Sequence, residues 1–236
     1  MTRKLLLISS SRAANSGYLE PALTPLEHHF GAGEVLFIPY AGVTIDYDSY
    51  CAMVATALAP LNITIRGIHR CPDPVAAIAQ ARAIAVGGGN TFRLLEQLYQ
   101  QQLIDPIRAA VARGIPYAGW SAGANIAGLS ICTTNDMPII EPPSFNALQL
   151  LPFQLNPHYN DYQPAGFHGE TRDQRLAEFM QLQPRTAILA IREGTALAVN
   201  GERMKLIGDS DGWVFFGGAK QPLLANQCCS SWLTSK

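Results

Sequence analysis

The hydrophobic positions of this chain come in short continuous runs separated by longer mixed stretches. Leu5 to Ile8, Val35 to Ile38, Ile63 to Ile65, Ala83 to Val86 and Tyr117 to Trp120 are each largely apolar from end to end. A strand with one face in water alternates apolar and polar residues, whereas a strand covered on both faces does not. These runs therefore predict five buried strands. Helical stretches lie between them. Tyr47 to Leu58 has helical composition, and Asp73-Pro74 supplies an N-cap and a proline at the first helical position. Asp105-Pro106, within Leu103 to Arg108, repeats that device, and Gly114 closes that helix. A further helix over Thr91 to Gln101 follows the fourth strand. Strand–helix alternation of this kind predicts a three-layer α/β fold, a mostly parallel sheet with helices on both faces.

The last third is less regular. The proline-rich stretch Pro138 to Pro152 reads as a long surface excursion, and Thr171 to Leu182 as a helix. Ala187 to Ile191, Thr195 to Val199, Met204 to Ile207 and Trp213 to Phe216 read as later strands. Asn200-Gly201 between two of them is a type I′ hairpin signal. There is no repeat, linker or low-complexity segment, so residues 1–236 are expected to form one domain.

Composition narrows the function classes. Of 236 residues, 48% are hydrophobic and only 15% charged, with a formal net charge of −1. That balance argues against a nucleic-acid binder, which carries a basic stripe. The cysteines, Cys51, Cys71, Cys132, Cys228 and Cys229, are odd in number and form no C-x-x-C pair. This argues against a disulfide framework or a structural zinc site and favours a reducing compartment. No apolar run is long enough for a signal-peptide core or a bilayer span, so a cytoplasmic protein with no membrane partner is expected.

The chemistry centres on Gly119-Trp120-Ser121-Ala122-Gly123, placed between the fifth strand and a helical stretch. Strand, Gly-x-Ser-x-Gly turn and helix is the layout of a nucleophile elbow, which makes Ser121 the candidate nucleophile. The helix after it would aim free N–H groups and its positive dipole end at developing charge. A serine needs a base, and the base needs an acid to orient it. Of five histidines, His28, His29, His69 and His168 read as solvated or locally hydrogen-bonded. His158 follows Leu155-Asn156-Pro157 at the end of an extended segment and opens a polar loop, so it is the candidate base. Two acids compete for the third position. Asp136 lies in the polar loop Thr133 to Pro138. Glu193 lies where a strongly apolar strand stops, well placed to meet a loop histidine. Gly87-Gly88-Gly89-Asn90 follows the fourth strand and lets the backbone expose N–H groups. Gly88 and Gly89 are candidates for one wall of an oxyanion hole, with the Ala122 N–H as the other donor. A dinucleotide loop is set aside because the position three after Gly89 is Phe92 and the run follows the fourth strand rather than the first.

Together, Gly87 to Phe92, Gly119 to Asn125, Thr133 to Ile139 and Asn156-Pro157-His158 resemble the peptidase E family of alpha-aspartyl dipeptidases. Phe37 to Val43 and Gly169 to Arg175 fit the same family, and the match runs from the first strand to about Gly194. The resemblance implies a cytoplasmic serine exopeptidase that cleaves Asp-X dipeptides without cofactor or metal. It implies a fold similar to class I glutamine amidotransferases, of flavodoxin-like type, and is compatible with a homodimer. Carried over, Ser121 is the nucleophile and His158 the base. Asp136 matches a charge-relay assignment, while Glu193 fits the nucleophile–His–Glu order of that fold, and geometry leans to Glu193. The substrate's aspartate side chain would need a cation, for which Arg172 is the candidate, and its α-amino group an acceptor, for which Asn90 or Glu170 could serve. An α/β-hydrolase-type esterase is the alternative in another reaction class, disfavoured because no histidine follows His168. A non-catalytic ligand-binding relative is the third reading.

Overall fold

The computed structural model describes residues 3–163, 165–166 and 168–234. The five apolar runs form β1 (Lys4–Ile8), β2 (Gly33–Ile38), β3 (Ile63–Gly67), β4 (Ile84–Val86) and β5 (Tyr117–Trp120). They are followed by β6 (Gln154–Asn156), β7 (Ile188–Ala190), β8 (Ala196–Asn200), β9 (Arg203–Ile207), β10 (Gly212–Phe216) and β11 (Ala219–Leu223). The helices are α1 (Leu23–Phe30), α2 (Tyr47–Leu58), α3 (Pro74–Gln80), α4 (Thr91–Gln100), α5 (Ile104–Ala112), α6 (Ala122–Asn125) and α7 (Arg172–Leu182).

The main sheet has the order β3-β2-β4-β5-β1-β8-β9. The first five strands of that order run parallel, and β8 and β9 continue it antiparallel. Alternate residues of β1, β2, β4 and β5 enter different cores. Leu5, Leu7, Leu36, Ile38, Ile84, Val86 and Tyr117 pack with α3, α4 and α5. Leu6, Ile8, Val35, Phe37, Ala85, Ala118 and Trp120 pack with α1 and α2. This is why the strands read as unbroken apolar runs: each face has its own buried layer, and burial of each large side chain stabilises by about 1.5–3 kcal/mol. The result is a three-layer α/β fold.

The local signals hold where the core supports them and shift where it does not. Asp46 and Asp73 cap α2 and α3 through the Ser49 and Ala76 N–H groups. α5 departs from expectation, because Asp105 is not its cap. Ile104 and Ile107 are buried, so the helix begins at Ile104 and Pro106 falls at its third residue, where no intrahelical acceptor waits for an N–H. The excursion at Pro138–Pro152 leaves the surface early. Ala147, Leu148, Leu150 and Leu151 are buried, and the N–H groups of Leu148, Gln149 and Leu150 donate to the carbonyls of Ile126, Gly128 and Ala127. The β8–β9 turn has Gly201 at φ +61° as its first central residue, while Glu202 does not take a positive φ. That is the type II′ pattern rather than type I′.

The last third also builds a second sheet, β11-β10-β7-β6, which the sequence reading does not anticipate. Pro222 sits in β11, an edge strand, where its missing N–H costs the ladder least. One face of this sheet joins the main core through Leu155, Leu189 and Val214. The other packs Ile188, Ala190 and Phe215 against Leu176 and Met180 of α7. Among the described residues no helix is long and apolar enough to cross a membrane.

Candidate active site

Ligands of open α/β sheets bind outside the carboxyl ends of the strands. Here the segments leaving β1, β2, β4 and β5 meet the segments leaving β6 and β7 at that edge. Ser121, the residue after β5, has φ +54° and ψ −114°, a conformation L-residues rarely adopt. The neighbouring glycines make the turn feasible. A Cβ on Gly119 would lie 2.1 Å from the Gly123 carbonyl oxygen, and one on Gly123 would lie 2.2 Å from the Val86 carbonyl oxygen. Both contacts are far inside van der Waals distance, so β5, α6 and β4 close together only with hydrogen at both positions. α6 itself is a single turn, Ala122–Asn125. What it offers the site is therefore its first N–H groups rather than a long helix dipole.

His158 Nε2 lies 2.8 Å from Ser121 Oγ, and His158 Nδ1 lies 2.7 Å from Glu193 Oε1. Of the two candidate acids, the structure brings Glu193 to the histidine. Asp136 is engaged elsewhere: its Oδ2 accepts from the Thr91 N–H at 2.7 Å and the Thr91 hydroxyl at 2.5 Å. A carboxylate on the first N–H of α4 is favourably placed against the helix dipole and ties the 133–138 loop to that helix.

His158 is itself at φ +54°, and its position is held by residues the sequence reading does not single out. The buried Ser9 hydroxyl accepts the His158 N–H at 2.8 Å and donates to the Ile191 carbonyl at 2.9 Å. It thereby couples the ends of β1, β6 and β7. Asn135 Nδ2 donates to the Pro157 carbonyl, and Asn156 Nδ2 donates to Asn135 Oδ1 and the Thr133 carbonyl. The Asp161–Arg192 pair, two nitrogen–oxygen contacts of 3.0 and 2.6 Å, braces the loop after His158 against the residue before Glu193. That guanidinium holds the Asp161 carboxyl below its usual range. One signal was present for Ser9: a polar pair, Ser9-Ser10, stops an apolar strand and is buried all the same.

The glycine loop after β4 lies beside the serine. A Cβ on Gly88 would come within 2.9 Å of Ser121 Cβ, and Gly89 takes φ +137° against the Ala41 carbonyl. The Gly88 carbonyl accepts from the Tyr50 hydroxyl at 2.9 Å. Fixing that carbonyl fixes the orientation of the Gly88–Gly89 peptide and so the direction of the Gly89 N–H. Among the described residues the N–H groups of Gly88, Gly89 and Ala122 have no acceptor.

Two cavities flank the Ser121–His158 pair. The smaller, about 330 Å³, is polar and is lined by Thr91, Asn135, Asp136, Asn160, Arg172 and Glu193 among others. Arg172 opens α7, half-buried, with Nη1 buried and unpartnered. Burial, and then the nearby Arg175, push its guanidinium below the usual value, against the pull of Asp136 and Glu193. The larger, about 530 Å³, is lined by Tyr18, Val43, Ile45, Met53, Trp120 and Ile139 among others.

The two candidates for an α-amino acceptor are otherwise occupied. Glu170 is exposed and lies 3.6 Å from Arg175. Asn90 uses Oδ1 to cap the Arg93 N–H and Nδ2 to hold the Met137 carbonyl, though it lines the larger cavity. No group of three or more His, Cys, Asp or Glu side chains among the described residues could hold a metal ion.

The model of peptidase family S51 matches residues 5–207. A peptidase E of Shewanella denitrificans is 52% identical over 99% of this chain and 100% of its own length, and one of Shewanella baltica is 54% identical over 92% of each. In structure, the chain is similar to a peptidase from an acI-B1 actinobacterium, with a TM-score of 0.71 at 20% identity, covering 97% and 96% of the two chains. It is also similar to a peptidase-E-type protein of Listeria monocytogenes EGD-e, with a TM-score of 0.69 at 24% identity, covering 89% and 100%.

Proposed function

The chain belongs to peptidase family S51 and is a serine-type peptidase, and from that premise we propose that it hydrolyses dipeptides with N-terminal aspartate through Ser121, His158 and Glu193. The observation that carries the reading is the Ser121–His158–Glu193 chain of 2.8 and 2.7 Å beside a cavity holding an unpaired arginine.

In this mechanism His158 Nε2 takes the Ser121 proton as Oγ attacks the aspartyl carbonyl carbon. The oxyanion forms against the N–H groups of Gly88, Gly89 and Ala122. Collapse breaks the C–N bond while His158 gives its proton to the leaving amine, which departs as a free amino acid. Water, deprotonated by His158, then attacks the aspartyl ester, and the proton returns to Ser121 as aspartate is released. Glu193 orients the ring and stabilises the imidazolium. Its solvated setting makes it an orienting partner more than a source of ion-pair stability.

Arg172 is the partner of the substrate's side-chain carboxylate. Its placement is unfavourable in three ways: half-buried, beside Arg175, and at the positive end of α7. An anionic ligand relieves all three, and a guanidinium offers a carboxylate a two-point fit. The reading places the enzyme in the cytoplasm, where its five free thiols stay reduced. A panel of Asp-X, Glu-X and Asn-X dipeptides beside a p-nitrophenyl ester tests the proposal. Hydrolysis of Asp-X well above the rest is expected, whereas ester cleavage without dipeptide cleavage would overturn it.

A further inference from the structure

Arg172, the partner proposed for the aspartate side chain, lines the smaller cavity, and the larger cavity opens onto the same Ser121 and His158. If the acyl half of the substrate lies on the Arg172 side, the leaving half must lie on the other. That other side has a distinct chemistry. Val43 and Ile139, which line it, remain 55% and 56% exposed, among the few large apolar residues left in water among the described residues. Apolar side chains gathered at the mouth of a cleft mark a surface that a ligand covers. Ile45, Met53 and the ring of Tyr18 continue the apolar wall inward.

A cation stands next to this wall. The Arg12 guanidinium lies 5.7 Å from the centre of the Tyr18 ring, and the neighbouring Ser11 lines the cavity. No carboxylate among the described residues pairs with Arg12. The leaving residue of a dipeptide brings two features: a side chain and a terminal carboxylate. An apolar wall with a free guanidinium beside it matches both.

We infer that this cavity is the seat of the leaving residue, taking apolar side chains against Val43, Ile45, Met53 and Ile139, and its terminal carboxylate at Arg12. The inference rests on the Asp-X reading of the site and adds to it. The enzyme selects apolar second residues, and a free terminus at that residue over a continuing chain, because only a dipeptide presents a carboxylate there.

Steady-state kinetics with Asp-Leu, Asp-Ser and Asp-Leu amide test it. The unaltered enzyme should show kcat/KM for Asp-Leu about tenfold above Asp-Ser and about fivefold to tenfold above the amide. Arg12→Gln should abolish the preference for the free carboxylate and keep that for leucine. Val43→Ser with Ile139→Ser should do the reverse. Equal rates on the three substrates, or an Arg12→Gln variant that still discriminates against the amide, would overturn the inference while leaving the Asp-X reading intact. A second measurement does not depend on turnover. Titration with N-acetyl-leucine and its amide, read at the Trp120 indole N–H by NMR, should show tighter binding of the acid and loss of that difference in Arg12→Gln. No difference between acid and amide in the unaltered chain would overturn the inference even if no Asp-X dipeptide were cleaved.

Discussion

On the strand side of the site, Ser121 sits in a turn closed by two glycines that no side chain could replace, against strands whose residues are almost all buried. On the loop side, His158, Glu193 and Arg172 ride on segments exposed or half-exposed to water and fixed by polar bridges: Ser9 to His158, Asp161 to Arg192, and Asp173 to Lys220 at 2.7 Å. The first region is set by packing and backbone geometry, which tolerate almost no change. The second is set by a handful of hydrogen bonds, each worth about 0.5–3 kcal/mol. The contrast assigns different work to the two regions: the strand side fixes where the nucleophile stands, and the loop side fixes which proton acceptor and which anion receptor come to it.

The largest effect should come from the strand side. Ser121→Ala suits the turn sterically and should leave the circular dichroism spectrum unchanged, yet lower kcat on Asp-Leu by roughly 10⁴ to 10⁶. Substantial turnover in the purified variant would remove Ser121 from the mechanism.

On the loop side, Glu193→Gln should lower kcat by about 10³ to 10⁴, because the orienting acid fixes the histidine tautomer. Asp136→Asn, which loosens the 133–138 loop from Thr91, should act mainly on KM or on stability. Comparing the two at matched stability breaks the comparison if the larger kcat loss falls on Asp136.

Arg172→Ala should cost Asp-Leu about 2 to 4 kcal/mol in kcat/KM, as for a desolvated charge pair, and cost Asn-Leu much less. An unchanged Asp-over-Asn ratio would move the anion receptor elsewhere.

The buried half also carries a pH signature. His29 packs against Phe30 with Nε2 3.0 Å from the Tyr117 carbonyl, and burial lowers its pKa to about 4. The unfolded chain binds this proton near pH 6.5 and the folded chain only near 4. Stability is therefore complete above pH 6.5 and falls as the pH drops from 6.5 to 4, by roughly 3 kcal/mol. Urea midpoints across that window should fall more steeply for the unaltered chain than for His29→Gln.

The smallest effect tests the join between the regions. Tyr50→Phe releases the Gly88 carbonyl and should lower kcat about tenfold with KM little changed, as for one misdirected oxyanion donor. A change confined to KM would show that the hydroxyl serves substrate binding instead.

The sequence by itself determined the parallel half. Continuous apolar runs, the Asp73 cap and the Gly-x-Ser-x-Gly turn are local, and each acts within a few residues of where it is read. It also grouped Ser121, His158 and Glu193 as nucleophile, base and acid with Asp136 still competing, and the family resemblance added Arg172. Only the tertiary structure decided that Glu193 meets His158 while Asp136 meets Thr91, since what lies across from an acid in a loop or at a strand end is set by how the strands stack. It alone decided the second sheet, the one-turn α6, and the return of residues 147–151 to the core, because long-range burial outweighs local propensity. Ser9 and Tyr50 lie 149 and 38 residues from the backbone groups they hold. A hydroxyl's partner at such separation is fixed by how strands stack, which no local pattern along the chain encodes.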